Sequence, residues 1–194
     1  MTTPAAPTAA ETSTVHRFEV RSADAGRDPR AERVRHDAAE AGVELRSVRV
    51  RRVYLIEADL TSEQAERVLA GLLADPVTEL GAPGAADAKA GSVVVEVHPL
   101  PGVMDPAAQS VASAIEALVG VEAAVQTGWR YDLAADGLDR DGAIKLAERV
   151  FANRVVNGVH GEPYWPSALP KGHESSFHVQ HVPIRALDDG GLAT

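Results

Sequence analysis

Residues 93–118, VVVEVHPLPGVMDPAAQSVASAIEAL, carry the pattern on which the fold turns. Val93, Val95 and Val97 recur at the two-residue period of a half-buried strand. Asp105 then stands where a helix N-cap belongs, and Pro106 takes the first helical position, where its missing N–H costs nothing. Ala108, Val111, Ile115 and Leu118 form one apolar stripe at helical spacing, and Gly120 supplies the left-handed residue that stops the helix. The passage therefore predicts strand, loop and helix in that order.

The same grammar appears earlier, in FEVRSADAGRDPRAERVRHDAAEAG over residues 18–42. Phe18 and Val20 alternate, Asp28-Pro29 caps the helix, Ala31, Val34, Ala38 and Ala41 make its stripe, and Gly42 ends it. Asp28-Pro29 recurs as Asp105-Pro106 and Gly42 as Gly120, the second spacing being longer by one. An internal repeat with one inserted residue follows. At the longer spacing Val43, Glu44, Leu55 and Leu60 fall on Val121, Glu122, Leu133 and Leu138, Arg52 falls on Arg130, and Ala74 and Val77 fall on Ala152 and Val155.

Beyond each first helix, residues 45–58 are rich in Val, Tyr, Leu and Ile, and the second copy places Thr127-Gly128 at their midpoint. That predicts two strands joined by a tight turn, although Val50 stands where the second copy has Gly128. Thr61 with Gln64 is a capping box, and Ala65, Val68, Leu69, Leu72 and Leu73 share one face of the helix it starts. Their counterparts Ala143, Leu146, Ala147, Val150 and Phe151 are all apolar. Short segments over 77–80 and 155–159 close each sheet.

The expectation is an α+β chain of two tandem ferredoxin-like β-α-β-β-α-β repeats, residues 16–80 and 92–165, packed as a pseudo-dimer. Residues 81–91, GAPGAADAKAG, read as a linker. Residues 1–15 read as disordered, and residues 166–194 as a flexible tail. A unit of about 65 residues buries only about 60% of its unfolded surface and is marginal alone, so pairing of the copies is the stabilising step.

Composition narrows function. The 194 residues hold 19 Lys+Arg against 28 Asp+Glu, a net charge of −9, which argues against nucleic acid or an anionic membrane as partner. With no cysteine, the sequence excludes a disulfide framework, a thiolate zinc site and a Cys nucleophile. No G-x-x-x-x-G-K-[ST] loop is present. Residues 1–14 have neither the cationic start nor the apolar run of a signal peptide.

Residues 93–118, followed by GWRYDL and LAERVFANRVVNGV, resemble the PurS family of purine biosynthesis. The first half, with DPRAERVRHDAAEAGV, VRRVYLIEADLTSEQAERVL and LLADPVTEL, is a weaker copy that lacks the Pro101–Pro106 run. The resemblance implies a non-catalytic assembly module of phosphoribosylformylglycinamidine synthase. Such a module bridges a PurL-type synthetase and a PurQ-type glutaminase in the cytoplasm, and ATP and Mg belong to the synthetase alone. The tail FHVQHVPIRALDDGGLAT resembles the entry into a fused synthetase, so the chain is expected to be the N-terminal portion of a longer protein. The competing expectation is a tandem ferredoxin-like regulatory module that binds a small molecule between its halves.

Arg52 and Arg130 are the foremost candidate contacts, because both copies keep an Arg beside Val53-Tyr54 or Tyr131, with Trp129 and Tyr131 as candidate interface anchors. The plainer alternatives are a solvated strand face for Arg46, Arg49, Arg51 and Arg52, and core filling for the two aromatics. Asp28 and Asp105 are expected to be structural caps. His98 and His160 are expected at strand ends, solvent-facing or hydrogen-bonded. His173, Glu174, His178 and His181 match no closed metal spacing, and no metal site is expected.

Overall fold

The computed structural model describes residues 14–172. Its elements run β1 (Thr14–Ser22), α1 (Pro29–Glu40), β2 (Ser47–Ala58), α2 (Ser62–Val68), β3 (Glu79–Pro83), β4 (Val93–Pro99), α3 (Pro106–Val119), β5 (Ala124–Ala134), α4 (Arg140–Val150) and β6 (Asn157–His160). A π-helical turn, Leu69–Leu73, extends α2. The six strands form one antiparallel sheet in the order β3-β1-β2-β5-β4-β6. Among the described residues the fold is thus α+β, with four α-helices on one antiparallel sheet.

Each half runs β-α-β-α-β, which corrects the expected β-α-β-β-α-β order. No hairpin interrupts β2 or β5; the two strands pair along their length, from Ser47 opposite Ala134 to Glu57 opposite Ala124. SVRVRRVYLIEA contains no residue that supplies φ > 0, so nothing turns the chain and the ladder propagates. Gly128 serves close approach instead, since a Cβ there would run into the His98 ring from β4.

The helices lie on one face of the sheet and cross between halves. One core cluster joins Ala31, Val34 and Ala38 of α1 to Ala143, Leu146 and Ala147 of α4 over Val50, Val95, Tyr131 and Leu133. The other joins Val68 and Leu73 to Ile115 of α3 over Phe18, Val20 and Ile56. These are the stripes expected from periodicity, now seen to be shared. The other face is crossed by the segment after β6, where Tyr164 and Leu169 pack on Val15, Val53 and Leu55.

The register shows that the two spacings alternate along the chain. Glu19 stands opposite Val53 and Glu96 opposite Arg130, so through β1 and β2 the halves keep the shorter spacing of the two Asp-Pro pairs. The longer spacing holds at the left-handed Gly42 and Gly120 and again at the helix caps Thr61 and Asp139. Arg52 thus corresponds in register to Trp129, not Arg130. A one-residue slip places a side chain on the opposite face, which is why sequence matching misassigned this pair.

β3 also takes in residues 81–83 of the stretch expected to be linker, pairing Gly81 with Val20 and Pro83 with Phe18. Small residues suit that place, because a Cβ on Gly81 would come within 2.6 Å of Leu69 Cδ1. At the other end, residues 166–172 are not free of the fold: the Leu169 N–H donates to Glu57 Oε2 at 2.8 Å.

Candidate functional site

Arg52 and Trp129 meet at the middle of the sheet, directly opposite one another on β2 and β5 and both on the helix-bearing face. The Arg52 guanidinium lies 4.9 Å from the Trp129 ring centroid and 5.7 Å from that of Tyr54. Arg30, on the first turn of α1, lies 4.9 Å from the same indole. Indole thus attracts two cations through its π face. A polar notch of about 140 Å³ opens beside them, lined by Arg21, Ser22, Asp28, Arg30, Arg52, Tyr54, Glu79 and Trp129. Burial raises the Tyr54 pKa above its ordinary value, with Glu79 adding to the rise and Arg52 and Arg30 opposing it.

Arg130 lies on the other side of the sheet, in a buried ion network that sequence reasoning missed. Arg17, Arg51 and Arg130 face Glu19, Glu96 and Asp132, so three cations meet three anions, all buried. Arg17 donates to Glu96 at 2.6 and 3.1 Å, to Glu19 at 2.6 Å and to the Tyr164 carbonyl at 2.8 Å. Arg130 donates to Glu19 and Asp132 at 2.9 Å, and Arg51 to Asp132 at 2.5 Å. The side chain of Arg17 reaches across β2 and β5 to Glu96, and Gly128 leaves the floor clear for His98 beside it. The cost of stripping these charges of water offsets much of what their pairing gains, while loss of any one partner leaves a buried charge uncompensated.

Burial would push the Glu96 carboxyl up, yet hydrogen bonds from His98, Arg17 and the Tyr164 N–H, with the charge of Arg17, hold it below its ordinary value. The hydrogen bond from His98 Nε2 at 3.0 Å leaves Nδ1 buried without a partner. Burial also works against the Arg130 charge, but Asp132 and Glu19 outweigh it and raise its pKa. Burial and His98 lower the pKa of His160, against Glu96 and Glu162. His160 stacks on Tyr164 with centroids 4.3 Å apart, so both histidines lie inside the contact with the segment after β6.

The remaining candidates divide. Tyr131 fills the core, stacked on Phe151 at 4.9 Å, and burial pushes its phenol pKa up to about 12. Asp28 caps α1 through the Arg30 N–H at 3.0 Å. Asp105 caps α3 through the Ala108 N–H and also accepts from the Thr127 N–H and hydroxyl, both at 2.9 Å, tying the helix start to β5. Of the basic strand residues, Arg46 is exposed and pairs with Asp136 at 3.1 Å, as a solvated face predicts. Arg51 does not fit that face, being buried. Residues 173–181, where the remaining histidines lie, fall outside the described residues.

The structure therefore brings Arg52 and Trp129 together, keeps Tyr131 on the same face with Trp129, and separates Arg130 from them. A signal for the buried network did exist: Glu96 sits inside VVVEV, and Arg17 and Glu19 flank Phe18 in a short apolar strand. Alternation assigned these charges to solvent, because it does not reveal that a second layer crosses that face. No family model and no curated protein matches the chain. Among the described residues, no helix is long and apolar enough to cross a membrane.

Proposed function

We propose that this chain is a tandem PurS-like module that bridges the synthetase and glutaminase parts of phosphoribosylformylglycinamidine synthase, without a complete active site of its own. The observation that carries the reading is the β2·β5 ladder, which joins two β-α-β-α-β halves of like register into one sheet. It supports a covalent pseudo-dimer of one duplicated unit. The resemblance of residues 93–118 supplies the family, and the Pro101–Pro106 loop presents Met104, 76% exposed, to a partner. Positioning is the chemistry of such a part: ammonia released at one site must reach the activated amide at the other before it escapes, an effective-molarity effect.

Purification of the full chain with PurL-type synthetase and PurQ-type glutaminase tests the reading. The three are expected to sediment together at micromolar concentration, and Met104→Asp is expected to reduce glutamine-dependent amidation while leaving the ammonia-dependent reaction unchanged. No association at micromolar concentration overturns the proposal. The alternative, a regulatory module that binds a small molecule, draws on the notch where the halves meet. Saturable binding of an amino acid there favours that alternative.

A further inference from the structure

We infer that the notch between β1, β2 and the start of α1 is a binding site for the phosphoryl group of a small organic phosphate. The inference rests on the arginines and goes beyond the bridging role. Arg21, Arg30 and Arg52 line one cavity of about 140 Å³. Among the described residues none of the three forms an ion pair, although this chain has more acids than bases and the buried arginines of the opposite face are all ion-paired. Arg52 Nε is buried with no acceptor. Arg21 spends one N–H on the Ser22 carbonyl at 3.0 Å.

Two carboxylates share the notch, and each accepts one backbone N–H while keeping its charge. Asp28 takes the Arg30 N–H and Glu79 Oε2 takes the Asp75 N–H, each at 3.0 Å. What remains is a surplus of positive charge, three planar guanidinium forks against two carboxylates, with the Tyr54 hydroxyl beside them; the Ser22 hydroxyl is spent on the Asp24 carbonyl at 3.0 Å. A carboxylate offers two oxygens, whereas a phosphoryl group offers three acceptor oxygens and about −1.5 to −2 charge, the better match to convergent forks. Size sets the next limit. Pockets that engulf whole organic ligands run about 300–1,000 Å³, so this notch takes only the headgroup.

A place for the rest of the molecule adjoins it. Across the Arg30 and Trp129 side chains lies a second cavity of about 250 Å³, walled by Val34, Val50, Tyr131 and Phe151, with Arg33 and Asp37 at its lining. An aromatic or apolar body seated there keeps its phosphoryl on the arginines. Arg30 and Trp129, shared by both cavities, then contact both parts of the ligand.

Calorimetric titration of the full chain with inorganic phosphate and with phenyl phosphate tests this. Saturable binding of either probe is expected, weakened about tenfold or more by Arg30→Met and by Arg52→Met, a loss of about 1.4 kcal/mol or more per substitution. Arg46→Met, which removes a cation paired with Asp136 away from the notch, is expected to bind as the unsubstituted chain does. Tighter binding of phenyl phosphate identifies an organic ester as the ligand, and equal binding identifies free phosphate, which keeps the headgroup site and removes the second cavity from it. Thermal melts verify each variant; Arg30 is exposed on α1, so Arg30→Met decides the matter if Arg52→Met does not fold. Absence of saturation by both probes up to about 10 mM, a regime weaker than about 3 kcal/mol, or equal loss in Arg46→Met, overturns the proposal. That outcome leaves the bridging reading intact, since partner association is measured separately.

Discussion

Glu96 shows how a single residue ties the sheet to the chain that crosses it. Its carboxylate accepts from Arg17 of β1, His98 of its own strand and the Tyr164 backbone after β6. Because those donors hold its folded pKa below the unfolded value, its contribution to stability is complete above the ordinary Glu range. It is lost as pH falls through the depressed folded value. His160 acts with the same sign: its lowered pKa means that protonation is penalised in the fold, so stability drops as pH falls below the usual His value of about 6.5. Urea unfolding midpoints measured from pH 7 down to about pH 3 are expected to decline, and Glu96→Gln is expected to flatten the acidic part of that decline. An unchanged acidic slope in the variant would show that the carboxylate is not the linked group. This sign is invisible in the sequence, where Glu96 is one charge between two valines.

The elements differ in how much of themselves the sequence discloses. Helix starts are legible because a cap, its Pro and its stripe are local: Asp28 and Asp105 both accept from first-turn amides, and the Thr61 capping box forms in full. Yet the two Asp-Pro caps are not equal. Asp28→Ala loses one cap bond and is expected to cost about 1 kcal/mol. Asp105→Ala also leaves the Thr127 amide and hydroxyl without their acceptor, so it is expected to cost roughly 2–4 kcal/mol. Denaturant titration of the two variants measures the gap; equal losses would mean that the link from Asp105 to β5 adds nothing. Strands are legible in composition and not in continuity. The apolar richness of residues 45–58 marked β structure correctly, but whether it turns back or runs on depends on pairing with β5, which lies in the other half of the chain.

At the scale of the whole molecule the two halves are stabilised as one. Each core cluster takes helices from both: α1 with α4, and α2 with α3. The ion network likewise joins Arg17 and Glu19 of the first half to Glu96, Arg130 and Asp132 of the second. Neither half buries its own apolar face or neutralises its own buried charge by itself. Calorimetry is therefore expected to show a single cooperative transition with equal calorimetric and van't Hoff enthalpies. Two separated transitions, each assignable to one half, would contradict the shared core.

What the sequence determined alone is local and periodic: which segments are helix, where three of them start, which face of each is apolar, and that one pattern recurs along the chain. These follow from interactions within one or two turns or along one strand, so neighbouring residues suffice to specify them. The tertiary structure alone decided the parity of the strands. It placed Arg52 beside Trp129 and sent Arg130 to the opposite face, because a ladder bond between distant segments fixes which side every second residue occupies. It also decided that charges flanking an apolar strand are buried, since only the folded chain carries a second layer across that face.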